Sequence, residues 1–281
     1  MNIAVISPHY EHTGVTTLAS LIAFELSYRG GKVCLTHSLP RSESLYRYFG
    51  LDTVVDRTIN PARLVKMLKE GAIKMEEVSD YCRALSDKVD LFSADSDTFT
   101  QSDMLYALEF ITTTFPHDYI VYDVDNHELE SEANRLILKN ADVAVIVINQ
   151  NIMELAGFKN RMTKIMQAVG RIPMFVTINK FCDVQGSLRE TASMMGIKAP
   201  KNWSTVRYNP WVGYGTNFGK MNYICNKIRN SDYRVDDVAS DIKALANLII
   251  KVKVVKRQMS KETRQREIEN KSVKKEGGEK V

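Results

Sequence analysis

Apolar residues along the chain occur in short continuous runs, and helical patterns separate these runs. The runs predict buried strands at 3–7, 32–36, 89–92, 119–123, 143–148 and 173–178. The run at 143–148, VAVIVI, is apolar on both faces, which is typical of central strands in a parallel sheet. Apolar residues at helical spacing predict helices at 15–29, 102–113, 131–140, 154–169 and 188–195. We therefore expect an α/β fold with a doubly wound, mostly parallel sheet.

The same alternation defines the domain organisation. It continues to about residue 250 without a Ser/Gly-rich linker, so we expect one domain at 1–255 that ends in a helix within 235–255. The segment 256–281 holds only two aliphatic residues before its last position, Ile268 and Val273. Such a segment cannot bury a core, and we expect a disordered tail or a solvated helix there.

Charge is concentrated in that tail. The 281 residues are 44% hydrophobic and 26% charged, which excludes a chain that is disordered throughout. The tail carries nine Lys/Arg and five Glu, and this excess equals the whole net charge of +4. A uniformly basic nucleic-acid-binding surface is therefore not implied. Two interpretations of the tail stay open: contact with DNA or an acidic membrane surface, or a solvated segment whose glutamates dilute the attraction.

Localisation signals and cysteine usage point to the cytoplasm. No run reaches the roughly 18 apolar residues of a membrane span. The N-terminal MNIAVISPHY lacks a basic region, so we expect no secretory signal peptide. The four cysteines are far apart and form no CxxC pair, which argues against a zinc site or a disulfide framework.

The segment between the first strand and the first helix has the position of a phosphate-binding loop. It reads YEHTGVTT over residues 10–17, and backbone amides at a helix N-terminus favour an anion. Against the Walker A pattern GxxxxGK[ST], Gly14 matches the second glycine and Thr16 matches the magnesium-binding hydroxyl. Val15 stands in place of the lysine, and His9 stands in place of the first glycine.

At this loop the sequence resembles the deviant Walker A ATPases of the ParA/MinD family, whose loop reads KGGxGK[ST][ST]. Gly14, Thr16 and Thr17 match that pattern. The replaced positions are Tyr10, Glu11, His12 and Val15. Further segments resemble the family in the same order over about residues 1–250: Pro40, 44–52, 118–123, 141–142, Asn179-Lys180 and 206–220.

The resemblance implies roles for specific residues. Thr16 and Asp123 would bind magnesium, the loop from Gly14 through Val15 and Thr16 to Thr17 would bind ATP or ADP, and Asn179 with Lys180 would contact adenine. It also implies a homodimer that acts in positioning or assembly and recruits protein partners. Some members linked to pilus assembly and conjugation, the TadZ-like proteins, have degraded loops, and this chain resembles them in that respect.

The departures from the family pattern predict a degenerate nucleotide site. In the family, one loop lysine holds the β- and γ-phosphates and the other reaches the partner's nucleotide, and neither stands at its place here. His37 or Leu39 replaces an aspartate that helps to order magnesium and the attacking water. Phosphoryl transfer depends on cations that neutralise the transferring group, so we expect hydrolysis that is very weak or absent. Glu11 would in addition repel a phosphate.

Two other functions stay open on the sequence. The first is an atypical ATPase for DNA partitioning or conjugation, in which Lys180 or Lys220 reaches the phosphates. The second is a module that lies at the periphery of the nucleoid or the membrane and binds DNA or the membrane through the tail.

Individual residues also keep two interpretations each. Thr16 and Thr17 could simply begin a helix, Asp123 could be satisfied by backbone amides, and Asn179 could only end its strand. His9, His12 and His37 could hold a metal, although hydrogen-bonded histidines are the commoner arrangement. Four aromatic residues form either a partner surface or a packed loop: Trp203, Tyr208, Trp211 and Tyr214.

Overall fold

The structure of the protein is a computed structural model that describes residues 1–9, 12–39, 45–51, 61–93, 99–125, 130–151, 155, 158–195 and 203–253. Tyr10, Glu11, Pro40 and the basic tail lie outside the described residues, so the expectations for them remain predictions. Within the described part, no helix is long and apolar enough to cross a membrane.

The described strands form one eight-stranded sheet. They are β1 Asn2–Ile6, β2 Val33–His37, β3 Arg83–Ser86, β4 Val89–Phe92, β5 Tyr119–Asp123, β6 Val143–Ile148, β7 Met174–Phe181 and β8 Trp203–Arg207. Their order is β3-β4-β2-β5-β1-β6-β7-β8, and every neighbouring pair is parallel except β3 with β4. The mostly parallel sheet of the sequence analysis is therefore confirmed.

Helices connect these strands. They are α1 Val15–Tyr28, α2 Leu45–Tyr48, α3 Pro61–Lys69, α4 Gln101–Thr114, α5 Glu132–Asn140, α6 Phe158–Val169, α7 Leu188–Met194, α8 Pro210–Asn217, α9 Met221–Arg229 and α10 at 236–253. Short 3-10 helices occur at Met75–Tyr81, Asp183–Gln185 and Tyr233–Val235.

Both faces of the sheet are covered, and the side chains of each central strand divide between two cores. On β1, Ile3 and Val5 join the core that contains α1, α9 and α10, whereas Ala4 and Ile6 join the core that contains α4, α5 and α6. The two-sided apolar pattern of β6 has the same cause, because its alternate residues enter opposite cores.

The structure corrects three parts of the sequence analysis. The short elements β3 and α3 were not predicted. The aromatic segment around 203–217 is not an irregular loop, because it forms the edge strand β8 and helix α8. Asn179 does not end its strand, because β7 continues to Phe181 after a break in register at Lys180, whose φ is 51°.

Candidate functional site

The predicted phosphate loop lies at the carboxyl end of β1, between β5 and β6. The chain leaves β1 toward α1 on one face of the sheet, whereas it leaves β5 and β6 toward α5 and α6 on the other. A crevice opens where neighbouring connections diverge in this way, and ligands of open α/β sheets bind at such points.

Gly14 sets the geometry of the loop. Its φ of 84° lies in the left-handed region, and a Cβ at this position would collide with the side-chain amide of Asn179. Glycine is therefore required twice, for its backbone conformation and for the close approach. Gly14 has no side chain to cap the first turn of α1, and this turn contains no acidic residue. The amides at the start of α1 are thus suited to an anion.

The two threonines that follow take different partners. Thr16 Oγ1 donates a hydrogen bond of 2.7 Å to Asp123 Oδ2 at the end of β5. The hydroxyl of Thr17 pairs with that of Tyr48 on α2, and burial raises the pKa of Tyr48. A hydroxyl beside a carboxylate supplies two oxygens of the kind that Mg²⁺ accepts alongside phosphate and water. The structure therefore brings the predicted metal residues, Thr16 and Asp123, together.

Val15 stands where a Walker A lysine would stand, and its side chain packs into the core. It is 6% exposed and belongs to the cluster that contains α1. Only its backbone is placed to meet a ligand. The described part of the loop, residues 12–17, carries no lysine or arginine.

Three side chains from outside the loop hold its carbonyl oxygens. Asn179 Nδ2 donates to the carbonyl of Thr13 at 2.8 Å, and Lys180 Nζ donates to the carbonyl of His12 at 2.8 Å. The carbonyl of His12 accepts a second, longer bond of 3.4 Å from Asn149. Asn179 therefore uses its amide nitrogen on the loop in this structure, and Lys180 is anchored to the same loop.

His9, at the first position of the loop, is buried and contacts Arg161 of α6. Its Nδ1 lies 2.5 Å from Arg161 Nη1. Burial, with the nearby Arg161 charge, lowers the pKa of His9 to about 4. A guanidinium can only donate, so Nδ1 accepts and the proton of the neutral imidazole is on Nε2. Nε2 is buried without a hydrogen-bond partner among the described residues.

The described residues at the end of β2, 37–39, provide no carboxylate. His37 is buried, and its Nε2 lies 3.1 Å from the hydroxyl of Ser93. Leu39 packs against the core. The described residues contain no group of three or more His, Cys, Asp or Glu that could hold a metal ion, so the histidine metal site finds no support within them.

The four aromatic residues considered for a partner surface are only partly exposed. Trp203 is buried on β8, while Trp211 and Tyr214 pack edge to face on α8. Tyr208 is exposed, and so is Phe218, at the end of α8. Lys220, one of the two lysines considered for the phosphates, donates instead to the hydroxyl of Tyr214 at 2.7 Å.

Sequence reasoning missed several residues that contact the site. They are Tyr48, Asn149, Arg161, Ser38 and Asp125. The backbone amide of Asp125 donates a 2.8 Å hydrogen bond to the hydroxyl of Ser38 beside the end of β5. None of them lies within a recognisable spacing, since each comes from a different part of the chain. The repeated aspartate in 123–125 was the one available signal, for Asp125.

Comparison with known proteins gives structural matches only. No family model and no curated protein sequence matches the chain. The fold is similar to MinD in the MinC:MinD cell division complex of Aquifex aeolicus, at a TM-score of 0.63 and 17% identity over 89% of this chain and 96% of that one. The fold is also similar to MinD with Mg-ADP from Pyrococcus horikoshii OT3, at a TM-score of 0.62 and 16% identity over 91% of this chain and 98% of that one.

A ParA family ATPase from Chlorobium tepidum TLS gives a TM-score of 0.62 at 13% identity, over 87% of this chain and 96% of that one. The similarity spans nearly the full length of each relative, and identities this low establish the fold alone. The chain therefore has the ParA/MinD-like P-loop fold.

Proposed function

We propose that the protein is a ParA/MinD-like positioning or assembly scaffold with a degenerate nucleotide site. It acts through dimerisation and recruitment of protein partners, and it hydrolyses ATP very weakly or not at all. The observation that carries this proposal is the burial of Val15, because it leaves the described loop without the cation that phosphoryl transfer needs.

The rest of the site supports the same function. The pair of Thr16 and Asp123 and the start of α1 fit a magnesium ion and an anion, so ATP or ADP with Mg²⁺ would be held there as a structural ligand. The side chains of Asn179 and Lys180 order the loop from within the protein. Because these contacts lie within the protein, the shape of the loop does not depend on ATP hydrolysis.

Oligomeric state and turnover test the proposal together. We expect light scattering of the purified protein to give a dimer both with and without ATP and magnesium, and phosphate release to equal that of the Asp123→Ala variant. A dimer that forms only with ATP, with turnover abolished by Asp123→Ala, would contradict a scaffold.

A second candidate function is an atypical ATPase in DNA partitioning or conjugation. The 2.7 Å contact of Thr16 with Asp123 supports it, because this pair would hold the magnesium ion that phosphoryl transfer requires. Nucleotide-dependent dimerisation with turnover in the experiment above would select this function.

A further inference from the structure

The cations that touch the loop come from outside it. Lys180 contacts the loop at His12, and Arg161 contacts it at His9. Residues 12–17 contain no lysine, arginine or carboxylate. The described side-chain cations that contact this loop therefore come from β7 and α6.

Arg161 is the better placed of the two to bind an oxyanion. Its side chain is on the exposed side of α6, and its contact with His9 uses one of the five N–H donors of a guanidinium. No carboxylate among the described residues forms an ion pair with it. The planar guanidinium also matches the geometry of a phosphate group, whereas an ammonium acts as a point charge.

His9 gives a second, independent indication of a ligand. The imidazole is 3% exposed and stands at the first position of the loop. Because its Nδ1 accepts from Arg161, its Nε2–H is a buried donor for which the described residues provide no acceptor. Buried donors are nearly always satisfied in folded proteins, so this one points to an acceptor from outside the described chain.

We propose that Arg161, oriented by His9, binds the phosphate groups of an anion at the loop and replaces the charge of the missing loop lysine. The ligand class is a polyphosphate, either the phosphate chain of a nucleotide or a free pyrophosphate. His9 holds the guanidinium through Nδ1, and its Nε2–H donates to the same anion.

Calorimetric titration at low ionic strength with magnesium tests this assignment, with pyrophosphate and ATP as separate probes. We expect Arg161→Gln to weaken the binding of both probes by roughly tenfold or more, as the loss of a charged hydrogen bond does. Arg171→Gln is the matched control, because Arg171 is an exposed arginine beyond the far end of α6, and its effect should stay within about twofold. Equal affinities of the two probes identify a free polyphosphate as sufficient, and tighter ATP identifies the nucleotide.

Two further variants keep the test decisive if Arg161→Gln fails to fold. Arg161→Lys keeps the charge and loses the fork, so we expect intermediate affinity. His9→Phe keeps an aromatic ring at this position but cannot hold the guanidinium. We therefore expect weaker binding of both probes, together with a thermal unfolding transition that shows the variant is folded. Equal effects of the glutamine variants at 161 and 171, or no binding of either probe by the unmodified protein, would overturn the assignment. The second result would also remove the structural nucleotide from the scaffold proposal, but dimerisation without ATP and the lack of turnover would still be tested by light scattering and phosphate release.

Discussion

The hydroxyl of Thr16 donates to the carboxylate of Asp123 at 2.7 Å, although 107 residues separate them in sequence. The contact forms because β1 and β5 are adjacent parallel strands, in which Val5 is the register partner of Asp123. Their carboxyl ends coincide, so the first turn of α1 lies over the end of β5. Because the strands are adjacent, the hydroxyl oxygen of Thr16 and the carboxylate oxygen of Asp123, which belong to separate sequence motifs, lie side by side.

Replacing Asp123 with Asn should remove the magnesium dependence of nucleotide binding. The amide keeps an oxygen that accepts from Thr16, so the fold is retained, but it loses the charge that attracts Mg²⁺. Calorimetry with ATP, with and without magnesium, measures the difference. Asp80→Asn, at an exposed aspartate, is the control. A magnesium effect that survives in Asp123→Asn would place the metal elsewhere.

Gly14→Ala should destabilise the protein more than an alanine at another left-handed glycine. Gly170 has a φ of 69° with open space around it, so Gly170→Ala reports the backbone strain alone, about 1 kcal/mol. Gly14→Ala adds the collision with Asn179, and we expect it to cost about 1–3 kcal/mol more. Urea unfolding of both variants measures the comparison. Equal losses would mean that the loop yields to the added methyl group without cost.

The two consecutive residues whose side chains bind loop carbonyls, Asn179 and Lys180, should contribute unequally to the free energy of unfolding. Asn179 is buried, so Asn179→Ala leaves the Thr13 carbonyl without its partner and should cost about 1–3 kcal/mol of unfolding free energy. Lys180 is exposed, and water can replace its ammonium at the His12 carbonyl. Lys180→Ala should therefore cost less than about 1 kcal/mol. Chemical denaturation of both variants measures these losses of unfolding free energy. A larger loss for Lys180→Ala than for Asn179→Ala would contradict the greater role of the buried hydrogen bond.

His9 should make the protein less stable in mild acid. Its pKa is about 4 when folded, and about 6.5 in an unfolded chain. The unfolded chain therefore binds more protons between these values, and the unfolding free energy rises with pH across this window and falls as the pH drops through it.

The variant His9→Gln isolates this contribution, because glutamine does not titrate. Urea unfolding of both proteins at several pH values from about 4 to 7 should give a shallower pH dependence for the variant. Parallel curves would show that His9 titrates normally in the folded protein.

The sequence was sufficient for the parts of the fold that local patterns encode. The apolar runs located β1, β5 and β6 because buried parallel strands are apolar on both faces. The edge strands β3 and β8 were missed, since edge strands are partly polar and their pattern is weak. The continuation of the strand predicted at 173–178 through Asn179 to Phe181 could not be predicted, because a bulge at Lys180, with its positive φ, has no sequence signal at a non-glycine residue.

The residues of the site that belong to local motifs could be predicted from the sequence, and those that meet only through tertiary packing could not. Gly14, Thr16 and Asp123 were found because each belongs to a motif with fixed spacing. Arg161 was not found, because its relation to His9 spans 152 residues and depends on the packing of α6 beside the loop. Contacts of this kind follow from topology, and no local pattern records them.

The position of β1 between β5 and β6 also sets the order in which the protein can be completed during synthesis. Residues 1–6 leave the ribosome well before both neighbours of β1, and Asn179 lies 166 residues after Thr13, whose carbonyl it binds. At ordinary elongation rates this delay is on the order of 10 s. β1 therefore lacks both neighbouring strands until they have been synthesised, and the loop acquires its shape only after Asn179 has emerged.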